Sequence, residues 1–268
     1  MNPLNGNGAT LFFEDSGPRG GAPVILIHGH PFNHSMWHPQ TAALTTAGYR
    51  VITPDLRGYG QSPVLPGTTL LADFADDIAA LLDRLGIEQA VVGGVSMGGQ
   101  IAMEMRLRHP GRVRALVLSD TSAPAETQEG KTFRRNLAER LLEEGMKPYT
   151  DEVIDKMLAP YNVTGMPQAA AEVTAMMYAT APEGAAAALR GRAERPDYAP
   201  VLAALPAEVP CLIVVGRDDV YTPVAEAESL HALVPHSVLT VVERAGHLPG
   251  VEQPEAFNRA LLEFLAGI

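Results

Sequence analysis

The sequence predicts an α/β fold: a doubly wound, mostly parallel sheet with a helical cap inserted between two of its strands. Three observations predict it. Short apolar runs, most of them rich in β-branched residues, recur between turn residues at 24–27 (VILI), 51–53 (VIT), 90–95 (AVVGGV), 115–119 (ALVLS), 212–215 (LIVV) and 238–242 (VLTVV). They are too short for core helices and read as buried strands. Helical patterns fill the gaps between them, and strand–helix–strand alternation implies parallel pairing through right-handed crossovers. One long stretch, 122–206, breaks the rhythm, with Ala-, Leu- and Met-rich helical segments punctuated by prolines and no convincing strand.

In chain order, 11–14 reads as an additional edge strand. Residues 70–85 place Leu71, Phe74, Ile78, Leu81, Leu82 and Leu85 at helical spacing, and Gly86 supplies the stop. Strands resume at Cys211 directly after the helical stretch, so the stretch reads as an insertion, not an independent domain. The expected organisation is a core of 1–121 and 207–268 with a cap of 122–206. A cap placed after a strand covers the carboxyl edge of the sheet, where open α/β folds bind ligands.

Composition excludes several functions. The 268 residues carry 31 Asp and Glu against 20 Lys and Arg, a net charge of −11. Binding phosphates by counterion release needs clustered cations, so no nucleic-acid partner is expected. A single cysteine, Cys211, rules out an intrachain disulfide and suits a reducing compartment. No apolar stretch approaches the ~20 residues of a membrane span. The first residues have neither a basic nor an apolar leader region. The expectation is a cytoplasmic globular protein without membrane association, acting on a small molecule; a homo-oligomer stays open.

Gly94-Val95-Ser96-Met97-Gly98 forms a G-x-S-x-G pattern between an apolar strand and a helical segment. A nucleophile elbow requires this strand–turn–helix setting. The turn is so tight that a Cβ two residues either side of the serine would clash, which Gly94 and Gly98 avoid. Ser96 would sit at a helix N-terminus, where developing negative charge is favoured.

A serine hydroxyl needs a base. Of eight histidines, His247 lies just beyond the last strand, at the same sheet edge as Ser96. His109, His231 and His236 read as helix-end or surface residues. The imidazole in turn needs a carboxylate. Asp219, after the strand at 212–215, is the expected partner, Asp218 a turn residue, and Asp120 the competing candidate. The chain order is Ser, Asp, His, the order of α/β-hydrolases.

For the oxyanion, the backbone N–H of Met97 and that of His30, turned inward by Gly29, are the expected donors. Four histidines fall between His28 and His38, which raises a metal site. The cluster starts as His-x-His, but Phe32 and Asn33 occupy the positions where Asp and His would be needed, so no metal is expected.

Together, HGHPFNHSMW near Gly29, PDLRGYGQS at 54–62, GGVSMGGQ at 93–100, GRDDVYTP at 216–223 and AGHLPGVEQPEAF at 245–257 resemble the α/β-hydrolase superfamily across essentially the whole chain. Within it the chain is similar to small esterases, cofactor-free haloperoxidase-like enzymes and 3-oxoadipate enol-lactonases. The resemblance implies Ser96 as nucleophile, Asp219 as acid, His247 as base, His30 and Met97 as amide donors, and no cofactor. It implies an architectural role for Asp55 and Arg57. Haloalkane dehalogenase and epoxide hydrolase chemistry is disfavoured, because Ser96 stands where those enzymes have an aspartate.

The expected reaction is cleavage of a small ester or lactone through an acyl-enzyme. A C–C hydrolase, perhydrolase or lyase reusing the same triad is the alternative, and a non-catalytic binding protein is disfavoured by the intact triad. Phe32, Tyr161, Met177, Val220 and Leu248 are expected to line the substrate pocket. The cap methionines read as core filler, with an adaptable apolar acyl pocket as the alternative. Arg190, Arg192 and Arg195 read as a solvated helix end, with a carboxylate clamp as the alternative.

Overall fold

A computed structural model describes residues 10–65 and 67–268. The expectation about a leader rests mainly on residues 1–9, which lie outside them. Seven strands form one sheet: β1 (Phe13–Ser16), β2 (Pro23–Ile27), β3 (Arg50–Pro54), β4 (Ala90–Val95), β5 (Val113–Ser119), β6 (Cys211–Gly216) and β7 (Val238–Val242). Their order is β1-β3-β2-β4-β5-β6-β7, and only β1 runs antiparallel to its neighbour. The edge strand forms two residues later than 11–14. Its register is pinned by Arg50, whose guanidinium donates to both Asp15 carboxylate oxygens at 2.8 and 2.9 Å. Leu11 instead joins the core.

Helices α1 (His38–Thr46), α2 (Leu71–Arg84) and α3 (Met97–Arg108) follow β2, β3 and β4. Between β5 and β6 stand α4 (Gln128–Glu144), α5 (Met146–Met157), α6 (Pro160–Gly165), α7 (Pro167–Ala179), α8 (Pro182–Arg192) and the short α9 (Ala199–Ala203). The chain closes with α10 (Val224–Leu233), α11 (Pro249–Glu252) and α12 (Pro254–Ala266).

Side chains alternate across the sheet, as a strand period of two requires. Ile25 and Ile27 pack with Phe74 of α2 and Ile101 of α3, while Val24 and Leu26 share the other core with Leu44 of α1 and Phe257 and Leu261 of α12. Both faces are therefore covered, which explains why the parallel strands read as continuous apolar runs. In α2 the expected apolar stripe is buried, its start is held by Asp73 Oδ2 accepting the Leu70 N–H at 2.8 Å, and Gly86 ends it at φ +65°.

The inserted helices dock on the core through small residues of α8. A Cβ at Gly184 would lie 2.0 Å from the Gly58 carbonyl oxygen, and one at Gly191 would lie 1.6 Å from that of Thr69. The Thr69 N–H donates to the Ala187 carbonyl at 3.0 Å between those two contacts. Gly184, Ala187 and Gly191 stand on the face by which α8 approaches the core closely, and the alanines at 185–188 are all buried.

Candidate active site

Every chemistry-bearing residue named above follows the carboxyl end of a strand: His30 after β2, Ser96 after β4, Asp120 after β5, Asp219 after β6 and His247 after β7. Ser96 adopts φ +55° and ψ −116°, a conformation an L-residue rarely holds. The glycines around it explain how it is imposed. A Cβ at Gly94 would lie 2.2 Å from the Gly98 carbonyl carbon, and one at Gly98 would lie 2.1 Å from the Ile27 carbonyl oxygen. Backbone bonds hold the elbow: the Ser96 N–H donates to the Ser119 carbonyl at 2.9 Å, and its own carbonyl accepts the Thr121 hydroxyl at 2.8 Å.

His247 and Asp219 are both buried, and His247 Nδ1 lies 2.8 Å from Asp219 Oδ2. Asp219 Oδ2 also accepts the Thr222 hydroxyl at 2.6 Å, and Oδ1 accepts the Tyr221 N–H at 2.8 Å. Burial alone would raise the Asp219 carboxyl, but His247 and these donors outweigh it and hold it below the usual carboxylate range.

Asp120 sits beside this pair; one ligand atom from each of Asp120, Asp219 and His247 falls within 4.8 Å of the others. Its carboxylate atoms are otherwise engaged, Oδ1 by the Gly216 N–H at 2.8 Å and Oδ2 by the Ser119 hydroxyl at 2.5 Å. Full burial, and then the charge of Asp219, push Asp120 well above the ordinary range. Two carboxyls this close do not both ionise. The surroundings thus favour the charged form of Asp219 and the neutral form of Asp120.

The loop after β2 presses on Ser96: a Cβ at Gly29 would lie 3.3 Å from Ser96 Cβ. Met97 opens α3, where first-turn N–H groups have no acceptor inside the helix. The His30 side chain is buried, with Nδ1 2.8 Å from the Tyr59 hydroxyl and Nε2 without a partner. Burial, then the positive charges of Arg192 and Arg134, keep it neutral.

Ser96, His247, His30 and Gln100 line one side of a cavity of about 480 Å³; Leu137, Tyr149, Met157 and Arg192 of the inserted helices line the other. None of the five expected pocket residues is on its wall. Phe32, Met177 and Leu248 are buried in the core between sheet and cap. Tyr161 turns outward and donates its hydroxyl to Asp218 at 2.5 Å. Val220 is 66% exposed, because the turn that points Asp219 inward points its neighbour out, and Tyr221 lines the cavity instead.

The expectation of a solvated Arg190–Arg195 segment is corrected too. Only Arg190 fits it, bridging to Glu139 at 2.8 Å; Arg192 and Arg195 are buried. Glu252 was missed altogether. Buried at the end of α11, it accepts the N–H groups of Ala159, Gly246 and Leu248 and the Asn162 amide, so it ties the His247 loop to the start of α6.

His28 and His30 diverge: His28 Nε2 accepts the Leu56 N–H at 3.0 Å, and His30 faces Tyr59. Asp55 accepts the His34 ring at 2.7 Å, and Arg57 pairs with Asp77. Among the described residues, the other trio with metal-ligand spacing is Glu14, His34 and His38, away from the cavity.

A family profile described as the alpha/beta hydrolase fold matches residues 22–254. The chain belongs to the α/β-hydrolase family. It is 31% identical over 267 residues to 3-oxoadipate enol-lactonase 1 of Acinetobacter baylyi, covering 98% of this chain and 96% of that protein. It is 30% identical over 282 residues to a 2-hydroxy-6-oxononadienedioate/2-hydroxy-6-oxononatrienedioate hydrolase of Burkholderia vietnamiensis, covering 97% and 92%. The malate-bound structure of a thermophilic esterase from Thermogutta terrifontis superposes with a TM-score of 0.92 at 39% identity, covering 96% and 93%. In this α/β-hydrolase the six helices α4–α9 occupy the gap between β5 and β6, and no helix among the described residues is long and apolar enough to cross a membrane.

Proposed function

We propose that this α/β-hydrolase is a serine enzyme that cleaves small carboxylic esters or lactones through an acyl-enzyme. The observation that carries the reading is the buried 2.8 Å contact of Asp219 with Nδ1 of His247, which lines the same cavity as Ser96. A carboxylate on Nδ1 leaves Nε2 as the basic nitrogen and stabilises the imidazolium once it forms.

Ser96 Oγ attacks the carbonyl carbon as His247 takes its proton. The carbonyl π electrons move onto oxygen, and the N–H groups of His30 and Met97 hold that oxyanion. Collapse expels the alcohol, which takes the proton from His247; for a lactone the alcohol stays attached through the acyl chain. Water then attacks the acyl-enzyme with His247 again as base, releasing the acid and restoring Ser96. None of these steps calls on a cofactor. The esterase and enol-lactonase names of the relatives support the reaction class, and a cavity of about 480 Å³ suits a small molecule.

The test is a series of p-nitrophenyl esters of increasing acyl length run beside a series of lactones, with Ser96→Ala as blank. The expected result is turnover that Ser96→Ala abolishes while the fold is retained, with a phosphonate probe labelling Ser96. Turnover surviving in Ser96→Ala overturns the assignment. Cleavage of a 1,3-diketone with no ester or lactone cleaved replaces it with C–C hydrolysis.

A further inference from the structure

Among the described residues, one buried guanidinium on the cavity wall has no carboxylate bonded to it. Arg192, the last residue of α8, is only 8% exposed and lines the cavity beside Gln100 and Ser96. Its Nε donates to Gln100 Oε1 at 3.2 Å. Among the described residues, its two terminal nitrogens have no hydrogen-bond acceptor and its charge has no ion pair.

The neighbouring arginines are not in this position. Arg134 pairs with Glu126, and Arg195 donates to Glu126 at 3.2 Å and to the Pro124 carbonyl at 2.9 Å. Glu126 is thus bonded to two guanidiniums, and it reaches the third, Arg192, only through space. Gln100, its hydrogen-bond partner among the described residues, is neutral.

A buried guanidinium without a counterion destabilises a fold, and it does not escape by losing its proton. Burial first, then Arg134 and Arg195, disfavour its charge. Such a group persists where a ligand supplies the missing anion. A guanidinium with one nitrogen anchored and two free matches a carboxylate, which accepts two parallel N–H bonds. Position fits as well: Gln100 lies four residues after Ser96 on α3, and its N–H donates to the Ser96 carbonyl at 3.1 Å. Four residues of helix rise about 6 Å, so the residue that holds the guanidinium stands one turn along α3 from Ser96.

We infer that Arg192 receives a free carboxylate of the substrate, so that this hydrolase prefers half-esters or lactones of dicarboxylic acids over neutral esters. The inference rests on the ester-hydrolase reading above. The carboxylate lies a few bonds from the scissile carbonyl, and Arg192 acts in binding and selectivity, not in proton transfer.

The test compares the p-nitrophenyl half-ester of glutaric acid with p-nitrophenyl butyrate in wild type, Arg192→Lys and Arg192→Met. The wild-type ratio of kcat/KM, half-ester over neutral ester, is expected to exceed one. It should fall about 10- to 100-fold in Arg192→Met, mainly through KM, with partial rescue by Arg192→Lys. Arg192→Met should also melt at a higher temperature than wild type, because it removes an unanswered buried charge. An unchanged ratio overturns the inference even if both esters are cleaved. Should no ester or lactone be cleaved, the ester-hydrolase reading fails by itself, and calorimetric binding of glutarate still decides this one. Binding to wild type that is weakened in Arg192→Met supports it, and equal binding or none refutes it. If Arg192→Met does not fold, the same comparison is read on Arg192→Lys and on competition by glutarate against its neutral diamide.

Discussion

The two walls of the cavity are built on opposite terms. On the sheet side both carboxyls have their partners inside the protein: Asp219 accepts from His247, Thr222 and Tyr221, and Asp120 from Gly216 and Ser119. On the helical side Arg192 is held by one neutral amide and otherwise left open. A self-satisfied wall keeps its geometry with or without substrate, as chemistry on many substrates requires. An unsatisfied wall is completed by a ligand of one kind, as selectivity requires. The proposed catalytic residues and the proposed carboxylate receptor thus stand on different walls, and mutations should separate them.

The largest effect should come from the sheet side. Asp219→Asn removes the charge that stabilises the imidazolium and offers an amide where the ring needs an acceptor, so kcat should fall about 10³- to 10⁴-fold. Asp120→Asn should cost less than about 10-fold, because an amide is close in shape to the neutral carboxyl already there. Rates on one activated ester check the pair. If the order reversed, the acid would belong to the strand after the elbow, and the assignment of charge between the two carboxyls would be wrong.

How much of this was legible without coordinates follows the range of the forces involved. The six parallel strands and the elbow depend on local alternation and on glycines within two residues of Ser96, and a single pass along the chain finds them. The gathering of Ser96, Asp219 and His247 at one edge follows from all three standing after parallel strands. The five expected pocket residues failed because facing the cavity is set by packing between elements: Phe32 and Met177 were spent on the core, and Val220 was turned out by the same bend that turned Asp219 in. Arg192 was misread for the same reason. Its string, Arg-Gly-Arg-Ala-Glu-Arg, has the composition of a solvated helix end, and only the approach of α8 to Thr69 and Gly58 buries it.

The next effect concerns the joint between the two walls. Glu252 holds the amides on both sides of His247 and also the start of α6. Burial raises its carboxyl above the usual range before those donors lower it in part. Glu252→Ala strands several buried N–H groups, each costing about 1–3 kcal/mol, so a stability loss of about 4 kcal/mol is expected along with reduced turnover. Glu252→Gln keeps one acceptor oxygen and should lose roughly half as much. Urea unfolding measures the first quantity, and loss of stability without loss of kcat would show that the His247 loop is positioned without it.

Acid should loosen the sheet side through His28. Burial holds this imidazole down to about 4 from an ordinary 6.5, and its Nε2 must stay unprotonated to accept the Leu56 N–H. The unfolded chain binds that proton near pH 6.5 and the folded chain only near pH 4. The stabilisation is therefore complete above pH 6.5 and is lost as pH falls toward 4, about 3 kcal/mol in all. His30, held neutral in the same way, steepens the fall. Urea midpoints between pH 7 and 4.5 should drop more steeply for wild type than for His28→Gln, and parallel curves would show that this histidine does not titrate in the window.

The smallest of these effects reaches the helical side through its backbone. Gly191 has no room for a side chain, since a Cβ there would meet the Thr69 carbonyl oxygen at 1.6 Å. The Thr69 N–H is bonded to Ala187 one turn earlier, so neither chain can yield alone. Gly191→Ala must lift the end of α8 from the core, an overpacking that costs about 1–3 kcal/mol. Arg192 is the next residue and moves with it. If its guanidinium selects a carboxylate, the half-ester to neutral-ester ratio should fall in Gly191→Ala although the guanidinium is still present. A lower melting temperature with an unchanged ratio would show that charge alone matters and that its aim does not, which would make the helical side a reservoir of positive potential instead of a built receptor.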